Sequence, residues 1–505
     1  MPALSVRIES TRRAPRPYAA APASAVARAP AAAPAQERAR RHLVRLVFAV
    51  YLLAIFEGAL RKYAFPQFGQ FIFFVRDPFV AWAYLLATRW RLWPRRDAMF
   101  RLSCGLAVGG VLLLILQYAF GPPSDLRLLL GAYGWRAYFF YIPLAFLVGA
   151  QFRRDDLLRL ARLTLVLALP IAVLVAAQFF SSPSAAVNVG TSDDQALQFR
   201  DLTVDVSHIR AAGTFSSNVG QQQFVTTAFA LLLALLMIPA AQRRFGAVPM
   251  LAATGAILTC VALGGSRGTT LQCVMILLFS LPIALLGRGT ALRTRALLLP
   301  AALAVGAVLL YPVIFPEGFA VFVQRWQTAA VDERGFQGGV FGRALFGFVD
   351  FLRLVDAVPA LGYGLGFGGN ASNVLQATID GVQPGLLAET DYARQMVDLG
   401  PACGLIYIAF RVALVLALLR RVLRATARSA DPLPMMLFAY AGYVTLLSQI
   451  TGNGSINVYG WLFTGLCLAA CRVAGAPATV AAARPARPAL PALPARHRPR
   501  REYVR

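Results

Sequence analysis

The sequence predicts an all-α polytopic membrane protein. About 12 transmembrane helices are expected, with both termini cytoplasmic and a large extracytoplasmic loop carrying an amphipathic helix. Three observations predict this class. Of the 505 residues, 58% are hydrophobic and only 14% are charged, against about 25% charged in an ordinary soluble domain. Apolar runs close to 20 residues, the length that crosses a bilayer, recur along the chain. The formal net charge is +26, from 49 Lys+Arg against 23 Asp+Glu. A chain both apolar and basic is either a nucleic-acid binder or a polytopic membrane protein, and the placement of its cations decides for the membrane.

The apolar runs fall at 43–60, 71–88, 102–120, 133–149, 157–180, 222–242, 247–263, 269–287, 296–315, 396–419, 433–450 and 458–474. Several hold a Pro or Gly, which membrane helices tolerate. With the N-terminus inside, the inside connections are 89–101, 151–156, 243–246, 288–295 and 420–432. Each is rich in arginine: Arg89, Arg91, Arg95, Arg96 and Arg101 in the first, Arg420, Arg421, Arg424 and Arg428 in the last. That alternation is the positive-inside pattern. Lys62 is the single lysine, so the basic charge is almost entirely arginine.

Residues 1–42 and 476–505 form basic tails rich in Ala and Pro, without helical periodicity, and are expected to be disordered. Nine arginines precede or include Arg45 and eight follow from Arg472. Such charge sets orientation and favours an anionic inner leaflet, so nucleic acid is not an expected partner. The first apolar run begins near Leu43 and is expected to act as an uncleaved signal-anchor. The six cysteines all fall in apolar runs without metal-ligand spacing, so neither a disulfide framework nor a metal site is indicated.

Between residues 43 and 475, two outside segments exceed a connector's length: 181–221 and 316–395. In the second, 343–357 reads as an amphipathic helix lying on the outer membrane surface, with Asp350, Arg353 and Asp356 at helical spacing. A glycine run follows, in which Gly362, Gly364 and Gly366 permit tight turns. It is either a flexible turn or a backbone that approaches a ligand. It is not a dinucleotide fingerprint, because no buried strand precedes it.

Outside arginines are few. Arg267 sits in GGSRGTT, a tight turn at the start of a span, where helix N–H groups and a guanidinium together suit a phosphate. A snorkelling interface arginine is the plainer reading. Arg210 lies in HIRAAGTFSSN just before another span, with His208 beside it as an ordinary loop residue. Charges within spans are read mostly as structural pairs: Glu57 with Arg61, then Arg76, Asp77 and Arg411. Asp193, Asp194, Asp201 and Asp205 read as a solvated acidic loop. Neither a GxSxG elbow nor a GxxxxGK[ST] phosphate loop occurs.

Four segments together resemble the bacterial O-antigen ligase and O-antigen/exopolysaccharide polymerase superfamily. They are EGALRKYAFPQFGQFIFFVRDP (57–78), RAAGTFSSNVGQQQF (210–224), GGSRGTT (264–270), and a stretch from RALFGFVDFLRLVDAVPALGYGLGFG (from Arg343) to ETDYARQMVDLGPACG (389–404). The resemblance spans about residues 43–475 and lies in the order and sidedness of the segments, none of which is specific alone. It implies a metal-independent membrane glycosyltransferase of the bacterial inner membrane, with no cofactor. The donor would be a glycan on undecaprenyl diphosphate, the partners an acceptor glycan, the bilayer and other polysaccharide assembly proteins. It maps diphosphate binding onto Arg210 and Arg267, with Arg343 and Arg394 adding charge. Members that are ligases carry a His-Asn or similar pair where this chain has Glu389 and Thr390. That departure favours a polymerase over a ligase, with Glu389 the candidate general base and Asp391 next. A secondary transporter is the reading from another class, and the absence of repeated halves argues against it.

Overall fold

The computed structural model describes residues 34–121, 126–189, 208–332, 347–369, 372, 388 and 390–475. About 80% of the structure is helical, and no strand occurs among the described residues. In chain order the main helices are α1 (Pro34–Ala59), α2 (Asp77–Arg89), α3 (Ala98–Phe120), α4 (Arg127–Trp135), α5 (Ile142–Gln151), α6 (Arg154–Phe180), α7 (Asn218–Met237) and α8 (Ala247–Leu263). They continue with α9 (Arg267–Leu278), α10 (Ser280–Leu286), α11 (Thr290–Ile314), α12 (Pro316–Asp332), α13 (Asp391–Arg428), α14 (Leu433–Leu447) and α15 (Gly454–Ala474).

Eight helical stretches among the described residues are long and apolar enough to cross a membrane. They are Pro34–Ala64, Ala98–Phe120, Arg154–Phe180, Asn218–Met237, Arg267–Leu286, Thr290–Ile314, Asp391–Arg428 and Gly454–Ala474. Two apolar helices, Ala247–Leu263 and Leu433–Leu447, are shorter. The two remaining apolar runs are interrupted. A turn separates Gly69–Ile72 from α2, and a π-helical turn, Arg136–Phe140, separates α4 from α5. These helices make the chain a multi-pass membrane protein, with a large apolar surface for lipid: Val248, Leu251, Val308, Val313 and Leu285 are all exposed.

The helices differ in how far the protein encloses them. In α15, 89% of the most apolar window is buried and in α7 83%, whereas α11 is only 6% buried and lies at the rim. The central helices pack through small residues, because lipid offers no hydrophobic drive between helices and close backbone approach replaces it. A Cβ on Gly465 of α15 would stand 2.6 Å from the Ala145 carbonyl oxygen of α5, so only glycine fits there. Polar groups buried in the bundle pair across helices. Tyr51 meets Thr164 at 2.7 Å, Tyr440 donates to Gln223 at 2.6 Å, and Thr445 meets Thr464 at 3.0 Å.

The five arginine-rich connections all gather at one end of the bundle. Arg421 pairs with Asp97 at 2.9 Å and Arg154 pairs with Asp431, joining 89–101 and 151–156 to 420–432. Arg288 donates to the Ala427 carbonyl at 3.2 Å, and Arg162 donates to the Arg244 carbonyl at 3.4 Å. Arg40 pairs with Asp156 at 2.8 Å, which brings the start of α1 to the same end. The turns at 61–76, 208–217, 264–266 and 448–454 lie at the opposite end.

The outer segments depart from expectation in two places. Residues 316–332, expected as the start of a loop, form α12. The expected amphipathic helix 343–357 is described only from Gly347: Asp350–Leu354 is a 3-10 helix, and residues 355–357 are turn. It is not a free surface helix. Leu354 and Val358 pack on Tyr392, Ala393, Met396 and Val397 of α13, while Phe348, Val349 and Leu352 stay exposed.

Candidate functional site: three arginines around a glycine turn

The Arg210 segment is held from three sides, and its residue types explain how. Gly213 adopts φ +57°, which glycine alone takes without strain, and its N–H donates to Gln178 Oε1 at 2.7 Å. Thr214 Oγ1 donates to the Ile55 carbonyl of α1 at 2.8 Å. Phe215 is buried against Phe224, with ring centroids 5.8 Å apart. Gly58 on α1 completes the seat, since a Cβ there would lie 2.1 Å from the Ser216 nitrogen. Arg210 therefore leaves an anchored backbone.

The second motif is tied to the first through consecutive glutamines. Gln221 donates to the Cys260 carbonyl at the end of α8 at 3.1 Å. Gln222 donates to Gln272 of α9 at 3.3 Å and accepts from Ser266 at 3.4 Å. Gln223 accepts from Tyr440. Within the turn, Gly265 takes φ +59°, and Ser266 caps α9 by accepting from the Thr269 N–H at 3.3 Å. Arg267 is the first residue of α9.

The third element is α12, which sequence reasoning missed. Phe319, Phe322, Val323 and Trp326 recur at one helical face, and that spacing was the available signal. The face docks by an aromatic series: Tyr311 to Phe319 at 5.4 Å, Tyr311 to Phe322 at 5.8 Å, and Phe322 to Trp326 at 6.0 Å. Tyr311 also donates to the Ala262 carbonyl at 2.8 Å, fixing the hairpin of α11 and α12 to the end of α8. The consequence is that Arg325 reaches the turn and donates to the Gly265 carbonyl. Burial, and then the positive charges of Arg210 and Arg267, hold the Arg325 guanidinium below the usual arginine range, at about 10. Three half-buried guanidiniums thus share one place.

Asp391 and Arg394 lie elsewhere, within the scaffold. Asp391 is buried and fully engaged: Arg411 donates to it at 2.5 Å, Arg394 at 3.3 Å and Thr451 Oγ1 at 2.8 Å. With two guanidiniums, the Thr451 hydroxyl and N–H and the Gln395 amide all donating to it, Asp391 is placed as a structural carboxylate away from the three arginines. Arg394 is 3% exposed, donates to the Gly368 carbonyl at 2.6 Å and packs under Gly452, so the structure does not bring it to the three arginines. Glu389 and Arg343 lie outside the described residues, as do Asp193, Asp194, Asp201 and Asp205.

The glycine run approaches protein backbone. Gly362, Gly364 and Gly366 have φ of +72°, +129° and +87°. Gly366 packs on α4, where its Cβ would lie 2.2 Å from the Leu130 carbonyl oxygen. Gln117 donates to the Leu361 and Asp398 carbonyls at 2.7 and 2.8 Å, and Gly368 N–H donates to Asp398 at 2.5 Å. The run is a clamp between α3, α4 and α13, and the flexible-turn reading is corrected accordingly.

Other charged residues of the outer end pair with one another. Glu57 pairs with Arg76 at 3.0 Å and Arg61 at 3.8 Å, and Asp77 accepts from Arg136 at 2.5 Å and 2.9 Å. His208 stacks on Phe179 at 4.5 Å. No family model matches the chain, and no curated protein matches it.

Proposed function

We propose that the chain is a polysaccharide polymerase of the inner membrane, acting outside the cytoplasm on glycans carried by undecaprenyl diphosphate. In this reading it crosses the membrane about 12 times with both termini inside, and it works without a metal or cofactor. The observation that carries the reading is the meeting of Arg210, Arg267 and Arg325 around the Gly265 turn. Three guanidiniums on one turn offer complementary charge and several N–H donors to an anion of two or more charges. A diphosphate leaving group gains negative charge as the glycosidic bond breaks, and fixed guanidiniums stabilise that charge where it develops. The surrounding apolar helix surface suits a donor with a lipid tail. Glu389, one residue before the Thr390 cap of α13, is the proposed base for the acceptor hydroxyl.

The test is the lipid-linked glycan profile of cells lacking the gene. Single repeat units accumulating on the lipid support a polymerase. Long lipid-linked chains instead mean a ligase, and an unchanged profile means transport or another role. Complementation with Arg267→Ala should fail at a normal membrane level; full polymer from that variant would remove Arg267 from the site.

A further inference from the structure

The arginine-rich end of the bundle holds a second basic place, unrelated to the three-arginine turn. A cavity of about 370 Å³ opens between α5, α13 and α15. Arg421, Arg424 and Arg428 line it from α13 and Arg472 from α15, with Phe146 and Leu468 forming apolar wall. A second cavity, of about 420 Å³, shares Pro94 and Asp97 with the first and adds Arg91, Arg95 and Arg96. The two cavities hold seven arginines against one carboxylate.

Not all seven are occupied. Arg421 pairs with Asp97, and Arg472 donates to the Gly149 carbonyl at 3.0 Å and to the Phe152 carbonyl. Arg424 and Arg428 make no hydrogen bond or ion pair among the described residues, yet both face the cavity from one side of α13. Cations set over an apolar wall at a helix end match an amphiphilic anion better than a free one. A phosphate can meet the guanidiniums while its acyl chains run along the exposed apolar residues of α13, Leu416 and Leu423.

We infer that this place binds the headgroup phosphate of an anionic phospholipid from the cytoplasmic leaflet. The inference rests on the arginine-rich end lying in that leaflet and is independent of the polymerase reading. A seated lipid would cover the cavity between α5, α13 and α15.

The test uses the full-length protein in neutral detergent, with native mass spectrometry of bound phosphatidylglycerol against phosphatidylcholine of matched chains. The wild-type protein should retain phosphatidylglycerol preferentially. The double substitution Arg424→Gln and Arg428→Gln should cut that preference about 5-fold or more, the effect of roughly one basic residue at an anionic surface. Arg420→Gln, an exposed arginine on the same helix outside the cavity, should leave it intact. Undiminished preference in the double variant overturns the site. So does an equal loss in Arg420→Gln, which means diffuse charge, and so does full displacement of the lipid by millimolar inorganic phosphate, which means a soluble ligand. Arg424 and Arg428 make no hydrogen bond or ion pair among the described residues, and the elution profile on size exclusion verifies that the variants remain assembled.

Discussion

The guanidinium of Arg325 donates to the carbonyl oxygen of Gly265, two residues before Arg267. The bond links an amphipathic outer helix to the turn that starts α9, and it sets a third cation beside Arg210 and Arg267. Burial, and then the charges of Arg210 and Arg267, loosen the hold of Arg325 on its proton.

Replacing Arg325 by Met should therefore reduce polymer output by at least about 10-fold, the lower end of the value of one charge-assisted hydrogen bond. Arg325→Lys keeps the charge without the planar fork and should recover part of the loss. Glycan length distribution on gels, at matched membrane protein levels, checks both. Wild-type polymer from Arg325→Met would separate α12 from the site.

The depressed pKa gives a second expectation with a definite sign. A bound diphosphate favours charged Arg325, so binding near pH 10 takes up a proton, and affinity falls once the pH exceeds about 10. Pyrophosphate should raise the Tm of the purified protein by a constant increment from pH 7 to 9 and by a shrinking one above about 10. The Arg325→Gln protein should show a smaller increment without that step. A wild-type increment that holds flat to pH 11 would falsify the role of Arg325 in binding.

Asp391 should behave as a structural residue. Its partner Arg411 is fully buried, and breaking such a pair leaves an uncompensated charge, a cost of about 3–5 kcal/mol. Asp391→Asn should lower the Tm and the amount of folded protein, and any loss of polymer should scale with that amount. Replacing both partners together, Asp391→Leu with Arg411→Met, should recover part of the stability. An Asp391→Asn protein of normal Tm that makes no polymer would return this carboxylate to the chemistry.

How much of this was legible in the sequence follows from what each signal depends on. Apolar runs and arginine-rich connections depend on composition alone, so the helices and their common basic end could be read directly. Motif spacing located Arg210 and Arg267 for the same reason, since each sits in a short segment with its own turn residues. Arg325 belongs to no short motif of its own, and only the helical face of Phe319, Phe322, Val323 and Trp326 marks its helix within 316–395. Asp391 and Arg394 could not be placed, because their partners are Arg411, Thr451 and the Gly368 carbonyl, and such contacts between distant segments leave no local pattern. The break at Gly400, with φ +77° inside α13, does have a local signal in the Gly400-Pro401 pair, and the Ala360 carbonyl packs 2.2 Å from where a Cβ would be.

The same logic separates two glycines of the outer segment. Gly366 combines φ +87° with a Cβ position 2.2 Å from the Leu130 carbonyl oxygen and 3.1 Å from the Gly134 nitrogen. Alanine there must accept both a strained backbone and a clash with backbone atoms of α4 that cannot rotate away. The expected cost is about 2–4 kcal/mol, from strain of about 1–3 kcal/mol with overpacking added. Because Arg394 and Asp398 hold the adjacent Gly368, the disturbance should reach α13 and lower the Tm of the whole bundle. Gly347 has no atom within 4 Å of its Cβ position, so Gly347→Ala should change the Tm by less than about 1 °C. Thermal unfolding of both variants in the same detergent makes the comparison. Equal Tm values would mean that the glycine run does not clamp α3, α4 and α13, and a ligand-facing role for Gly362, Gly364 and Gly366 would regain its place.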